Sequence, residues 1–223
     1  MKSTILFITA IFCATVSFSQ VSYGLKGSLN IANQTIHATE SGMSGSASGS
    51  SIPSFQIGGF ADITAGKNFS FTPELLLSGE GTNLAGSDPN SGEPLTLKFR
   101  LYYLRIPLNL LYETEVRGGA KFFIGGGPDI GFGLFGKTSA GFSSQNSFED
   151  SLFKRFDFGL NFISGVELQS GVRFSINYNL GLSSIIGDTF SSIVGSTDGA
   201  DIKWRNRVIS FSIGYVLNKG KKD

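Results

Sequence analysis

The sequence predicts an all-β protein, an eight-stranded antiparallel up-and-down transmembrane β-barrel with short periplasmic turns and four longer extracellular loops. Three observations predict it. Eight stretches alternate between apolar and polar or small residues at period two, and helical periodicity is absent. Short turns alternate with long loops along the chain, as they do in outer-membrane barrels. Charge sits on the polar faces of the stretches, while their apolar faces carry almost none. Composition agrees: 16% of residues are charged and 13% aromatic, with 30 glycines, 21 phenylalanines and two methionines, a mixture that favours aromatic strands and turns over packed helices.

In chain order, residues 1–20 read as a cleaved secretory signal peptide. Lys2 precedes an uncharged run from Ile5 to Val16, and Ser17 and Ser19 are small residues placed for a cut after position 19 or 20. The run is shorter than the ~20 residues of a membrane-spanning helix. A lipid anchor on Cys13 is disfavoured because Phe12 stands where a small residue is expected. Cys13 is the only cysteine, so the expected mature chain cannot use disulfides. It comprises a barrel domain over 21–218 and a short basic tail over 219–223.

The eight stretches run from Val21 to Ala32, Ser54 to Ala65, Phe69 to Thr82, Leu97 to Glu113, Ala120 to Phe135, Lys154 to Leu168, Val172 to Ile185 and Lys203 to Asn218. Tight turns are expected at Gly66-Lys67-Asn68, Val116 to Gly119 and Gln169-Ser170-Gly171. Long loops are expected over Asn33 to Pro53, Asn83 to Thr96, Gly136 to Phe153 and Ile186 to Ile202. The short connections therefore share one end of the molecule and the long ones the other.

The strand faces identify the solvent. In the fourth stretch Tyr102, Leu104, Ile106, Leu108, Leu110 and Tyr112 share one face, opposed by Tyr103, Arg105, Pro107 and Asn109. Ten residues at ~3.3 Å each, tilted by ~40°, rise about 25 Å, the height of an outer-membrane apolar band between its aromatic girdles. The alternative, a soluble ligand-carrying barrel, turns its apolar face inward and its charges to water. A water-facing surface as poor in charge as this one would aggregate. Lipid outside and paired charges inside account for both faces.

Composition also excludes chemistry. Eighteen Lys and Arg balance seventeen Asp and Glu, so nucleic acid is not an expected partner. One histidine and one cysteine cannot build a Cys/His metal cluster or a Cys/His nucleophile pair, and no cofactor is expected. His37 is expected in a Ser/Gly-rich loop, where solvation is the favoured reading over a catalytic base. The acidic pairs Glu149-Asp150 and Asp198 with Asp201 lack the regular ligand spacing of a calcium loop. Gly125-Gly126-Gly127 is no phosphate cradle, since no helix follows it. These glycines are expected to make room for bulky lumen neighbours or to relieve strand bending.

The polar faces suggest which residues meet inside. With the loop from Asn83 to Thr96 centred between the third and fourth stretches, Arg105 falls opposite Glu74. With the next turn centred on Arg117, it falls opposite Asp129. One guanidinium offers five donors and can bind two carboxylates, so a structural lumen cluster of Glu74, Arg105 and Asp129 is expected. Lys26, Asp62, Asp157, Glu167 and Arg173 are expected as further lumen-facing polar residues.

The motifs FTPELLLSGEGTN (Phe71 to Asn83), YYLRIPLNLLY (Tyr102 to Tyr112), GGGPDIGFGLFGK (Gly125 to Lys137), SINYNLGLSSI (Ser175 to Ile185) and RVISFSIGYVL (Arg207 to Leu217), in this order and spacing, resemble the PorT-like family of outer-membrane β-barrel proteins of Gram-negative bacteria. The resemblance spans the expected mature chain. It departs from the common pattern at the end, where such barrels finish on an aromatic and this chain continues from Asn218 to Asp223. The family implies an outer-membrane location and an eight-stranded barrel, and its name comes from a member needed for protein secretion. The expected function is that of a non-catalytic barrel, structural or presenting its loops to envelope, secretion-machinery or external partners, with outer-membrane lipid around it. A small-solute pore and a lipid-modifying enzyme are the alternatives.

Overall fold

The computed structural model describes residues 21–40, 43–87, 94–116, 118–140, 143–146, 153–186 and 201–218. The expected signal peptide (1–20) and basic tail (219–223) lie outside the described residues. Ten strands follow in order: β1 (Val21–Glu40), β2 (Met43–Ser48), β3 (Ser50–Thr64), β4 (Phe69–Ser87), β5 (Pro94–Glu115), β6 (Lys121–Ala140), β7 (Ser143–Asn146), β8 (Phe156–Glu167), β9 (Val172–Gly181) and β10 (Asp201–Asn218). Eight of them, β1, β3, β4, β5, β6, β8, β9 and β10, form an antiparallel path that closes when β10 pairs with β1 over Tyr23 to Thr39. Closure leaves no edge among these eight strands, so their backbone donors and acceptors are satisfied strand to strand, the condition for crossing a bilayer with strands.

The three tight connections lie at one end. Each closes on a backbone hydrogen bond of 2.8 Å: Ala65 N to Phe69 O, Val116 N to Ala120 O, and Leu168 N to Val172 O. Gly66 and Gly171 sit at φ of 101° and 88°, in the left-handed region that a Cβ disfavours.

At the other end β1, β3, β4, β5, β6 and β10 run further than the hydrophobic pattern, whereas β8 starts at Phe156 rather than Lys154 and β9 ends at Gly181 rather than Ile185. The stretches from Asn33 to Pro53, Asn83 to Thr96 and Gly136 to Phe153 were expected as loops, yet β1 continues to Glu40, β4 to Ser87 and β6 to Ala140. β5 already begins at Pro94, and β2 and β7 fold back onto β1 and β6. Small and polar residues stand on both parities of these extensions, so the period-two apolar signal fades. The backbone groups still require partners, and the neighbouring strand supplies them.

The exposed face is the apolar one. Leu29, Ile213 and Leu25 are 71%, 61% and 59% exposed, while Lys26, Asp129, Asp157 and Arg105 are buried. This arrangement contradicts the soluble-carrier alternative. Aromatic pairs bracket the apolar band on the outer wall: Phe69 and Tyr112 meet edge-on at 5.5 Å near the turn end, and Tyr102 and Phe135 stack at 4.5 Å towards the loop end. We expect the purified protein to stay folded only in detergent or lipid and to migrate differently on gels when unheated. Monodisperse folded protein in plain buffer would contradict the assignment of the outer wall to lipid.

Candidate functional site

The interior is filled by four layers of side chains, from the turn end upwards. In the first, Arg173 on β9 donates through one terminal nitrogen to Asp62 Oδ2 at 2.6 Å and Glu167 Oε2 at 2.8 Å. Its guanidinium lies between the rings of Phe60 and Phe123, 4.6 and 4.8 Å from their centres. Cation and aromatic faces attract, most strongly where water is excluded. Thr72 donates to the other oxygen of Asp62 at 2.7 Å.

In the second layer, Lys26 pairs with Glu74 at 2.7 Å. Asn109 donates to Glu74 Oε1 at 3.2 Å and accepts from Asn161 at 2.9 Å. The third layer centres on Arg105, which donates to both oxygens of Glu80 at 2.6 and 2.8 Å, to Asp129 Oδ2 at 2.7 Å and to Asp157 Oδ2 at 2.7 Å. Asn179 donates to Asp129, and Asn206 and Ser183 donate to Asp157. Asp129 Oδ1 has no hydrogen-bond partner among the described residues. Three carboxylates thus surround one guanidinium, which grips Glu80 in the two-pronged geometry that makes Arg–carboxylate bonds strong and holds Asp129 and Asp157 by one charge-assisted bond each.

The fourth layer is apolar. Phe99, Leu101, Tyr103, Phe153, Ile185, Ile186 and Trp204 form a buried cluster across the loop-end mouth, with Trp204 edge-on to Phe99 at 5.3 Å and to Phe153 at 5.6 Å. The chain before β8 and after β9 contributes to it, linked by Lys154 N to Ile185 O at 2.8 Å and Ile185 N to Trp204 O at 2.9 Å. The cavities left among the charged layers measure about 20 Å³ beside Arg105 and about 10 Å³ beside Arg173, room for about one water molecule each.

The expected cluster is brought together in part. Arg105 and Asp129 meet, but Glu74 belongs to Lys26. The register explains the difference: Arg105 faces Leu76 across β4 and Gly131 across β6, rather than Glu74 and Asp129. Both hairpins are centred one residue later than their loop boundaries suggest, which moves the partner by two and leaves the inward parity unchanged. Arg105 still reaches Asp129 because Gly131 lacks a side chain; a Cβ there would stand 3.0 Å from Arg105 Nη1 and 3.4 Å from Asp157 Cβ. Sequence reasoning missed Glu80 as the partner, although its even number places it on the same inward face as Glu74. Lys26, Asp62, Asp157, Glu167 and Arg173 are all buried in the lumen.

Two other expectations change. Gly125 and Gly127 accommodate backbone rather than lumen side chains, since a Cβ on either would run into the carbonyl oxygens of Leu110 and Leu108 on β5. His37, expected in a loop, lies within β1, opposite Ser46 of β2 and Lys203 of β10. Glu149, Asp150 and Asp198 lie outside the described residues, and Asp201 opens β10. Among the described residues no three His, Cys, Asp or Glu side chains group to hold a metal ion.

The outer membrane protein beta-barrel domain family matches the chain over residues 16–187. No curated protein matches it. Similar solved structures include Neisserial surface protein A, at 14% identity and a TM-score of 0.40, covering 85% of this chain and 96% of that one. The attachment invasion locus protein Ail of Yersinia pestis is 11% identical, with a TM-score of 0.34 over 85% of this chain and 98% of that one. The outer membrane protein OprG from Pseudomonas aeruginosa is 11% identical, with a TM-score of 0.47 over 90% and 97%.

Proposed function

This chain belongs to the outer membrane protein beta-barrel domain family, and from that premise we propose that it is a non-catalytic, closed outer-membrane barrel whose working surface is the loop end. The strands cross the membrane, the tight turns face the periplasm, and the loop end meets envelope or external partners. The finer resemblance to PorT-like barrels extends this reading to a supporting part in protein secretion.

The observation that carries the reading is the filled lumen. Eight strands enclose an interior only wide enough for side chains to fill, and here stacked ionic and apolar layers leave cavities of about 20 and 10 Å³. A transported solute has no space beside Arg105 or Arg173, so function passes to the surfaces that project from the membrane. In planar bilayers we expect no sustained ion conductance from the pure protein. Reproducible single-channel steps that change in an Arg105→Ala variant would replace this reading with that of a small-solute pore. Crosslinking from single positions in β2 and β7 on intact cells, compared with positions in the tight turns, tests where partners engage.

A further inference from the structure

We propose that the outward face of the loop end binds the phosphorylated headgroups of the surrounding outer-leaflet lipid. The inference rests on the membrane-barrel reading and adds a ligand to its outer wall. Directly beyond the stacked pair Tyr102 and Phe135, the next outward positions on β5 and β6 are Arg100 and Lys137, which are partners in the register. Lys98 follows on β5, Arg207 stands beyond Ile209 on β10, and Lys154 lies two residues before Phe156; all five cations are exposed. None of them forms an ion pair among the described residues. Among the residues whose side chains are described, no acidic one is exposed beside these cations, and Glu80 and Asp157 are buried in the lumen. The turn end differs: there Lys121 approaches Glu113 at 3.8 Å, and Glu115 and Lys67 line one cavity.

A cluster of one sign of charge on β5, β6, β10 and the chain before β8, directly above an apolar, aromatic-edged wall, matches a lipid whose acyl chains lie on the wall and whose phosphates sit at the cluster. Arg100 and Arg207 present forked donors suited to phosphate oxygens, and the lysines supply flexible point charges. A soluble polyanion would be met by cations on projecting loop tips, whereas these stand on the barrel wall beside the acyl-facing residues.

The test is a titration of fluorescent lipid A into the full chain held in a neutral detergent, at low and high salt. Expected are binding that salt weakens and a loss of affinity of about fivefold for each cation removed in Arg100→Gln, Lys137→Gln and Arg207→Gln, with Lys67→Gln unchanged. Equal affinity for dephosphorylated lipid A, or equal losses in the Lys67 variant, would overturn the proposal. So would tighter binding of a soluble sulfated polysaccharide at the same residues. Detergent titration is blind to which way the barrel inserts, so failure of the underlying orientation is read separately, by labelling a Lys98→Cys variant on intact cells.

Discussion

Arg105→Ala unfolds in detergent at a much lower denaturant concentration than the parent chain, with an expected loss of about 3 to 5 kcal/mol. The substitution leaves Glu80, Asp129 and Asp157, all buried, without the cation that each contacts at 2.6 to 2.8 Å. Charges removed from water and deprived of their partner keep the cost of desolvation and lose its compensation. This large loss does not mean that the intact group adds as much, since burying a guanidinium among carboxylates is itself expensive. Trp204, the only tryptophan, lies in the apolar layer with Tyr103, whose ring stands 5.1 Å from the Arg105 guanidinium, so its fluorescence reports the transition. Lys67→Ala, in an exposed tight turn, should change stability by less than about 0.5 kcal/mol. Equal stability of the two variants would remove the ionic layer from the account of what holds the barrel closed.

An arginine at the middle of the lipid-facing wall should be nearly as costly. Ile213 is 61% exposed on β10 and Leu217 is 55% exposed on the same face, four residues nearer the turn end. In lipid vesicles Ile213→Arg is expected to cost about 2 to 4 kcal/mol, against about 0 to 1 kcal/mol for Leu217→Arg near the interface. The difference arises from depth alone, because a guanidinium at the edge reaches headgroup and water while one at the centre must draw them inward. Folding yield into vesicles and denaturant midpoints measure it. Were water the solvent of this wall, both arginines would be tolerated equally, and that result would reject the assignment.

Much of this molecule was legible in the residues because a barrel wall separates two unlike media. Tyr102 through Tyr112 on one parity and Tyr103 through Asn109 on the other follow from the two-residue period of a strand, and Lys26, Asp62, Asp157, Glu167 and Arg173 inherit their inward position from the same parity. Less legible were the strand extensions to Glu40, Ser87 and Ala140, where small and polar residues stand on both parities and leave no apolar alternation. The neighbours of the glycine tract are equally hidden: Gly125 and Gly127 yield to the carbonyls of β5 rather than to lumen side chains, and backbone proximity leaves no mark in a hydrophobic pattern.

The residues alone set the class of fold, the number of barrel strands, which end carries the tight turns, and which side of each strand meets lipid. All four depend on periodicity and on turn chemistry, which are local. The closed barrel was needed to reveal that Glu80, not Glu74, binds Arg105, and that Asp157 joins it from β8. It also decided that Trp204 and Phe153 cap the layer above, and that Arg100 and Lys137 stand side by side beyond an aromatic pair. Parity survives a register shift of two residues, so the inward face is robust. A partner's identity does not survive it, because the tilt of the strands and the position of each loop's centre set which inward residues share a height.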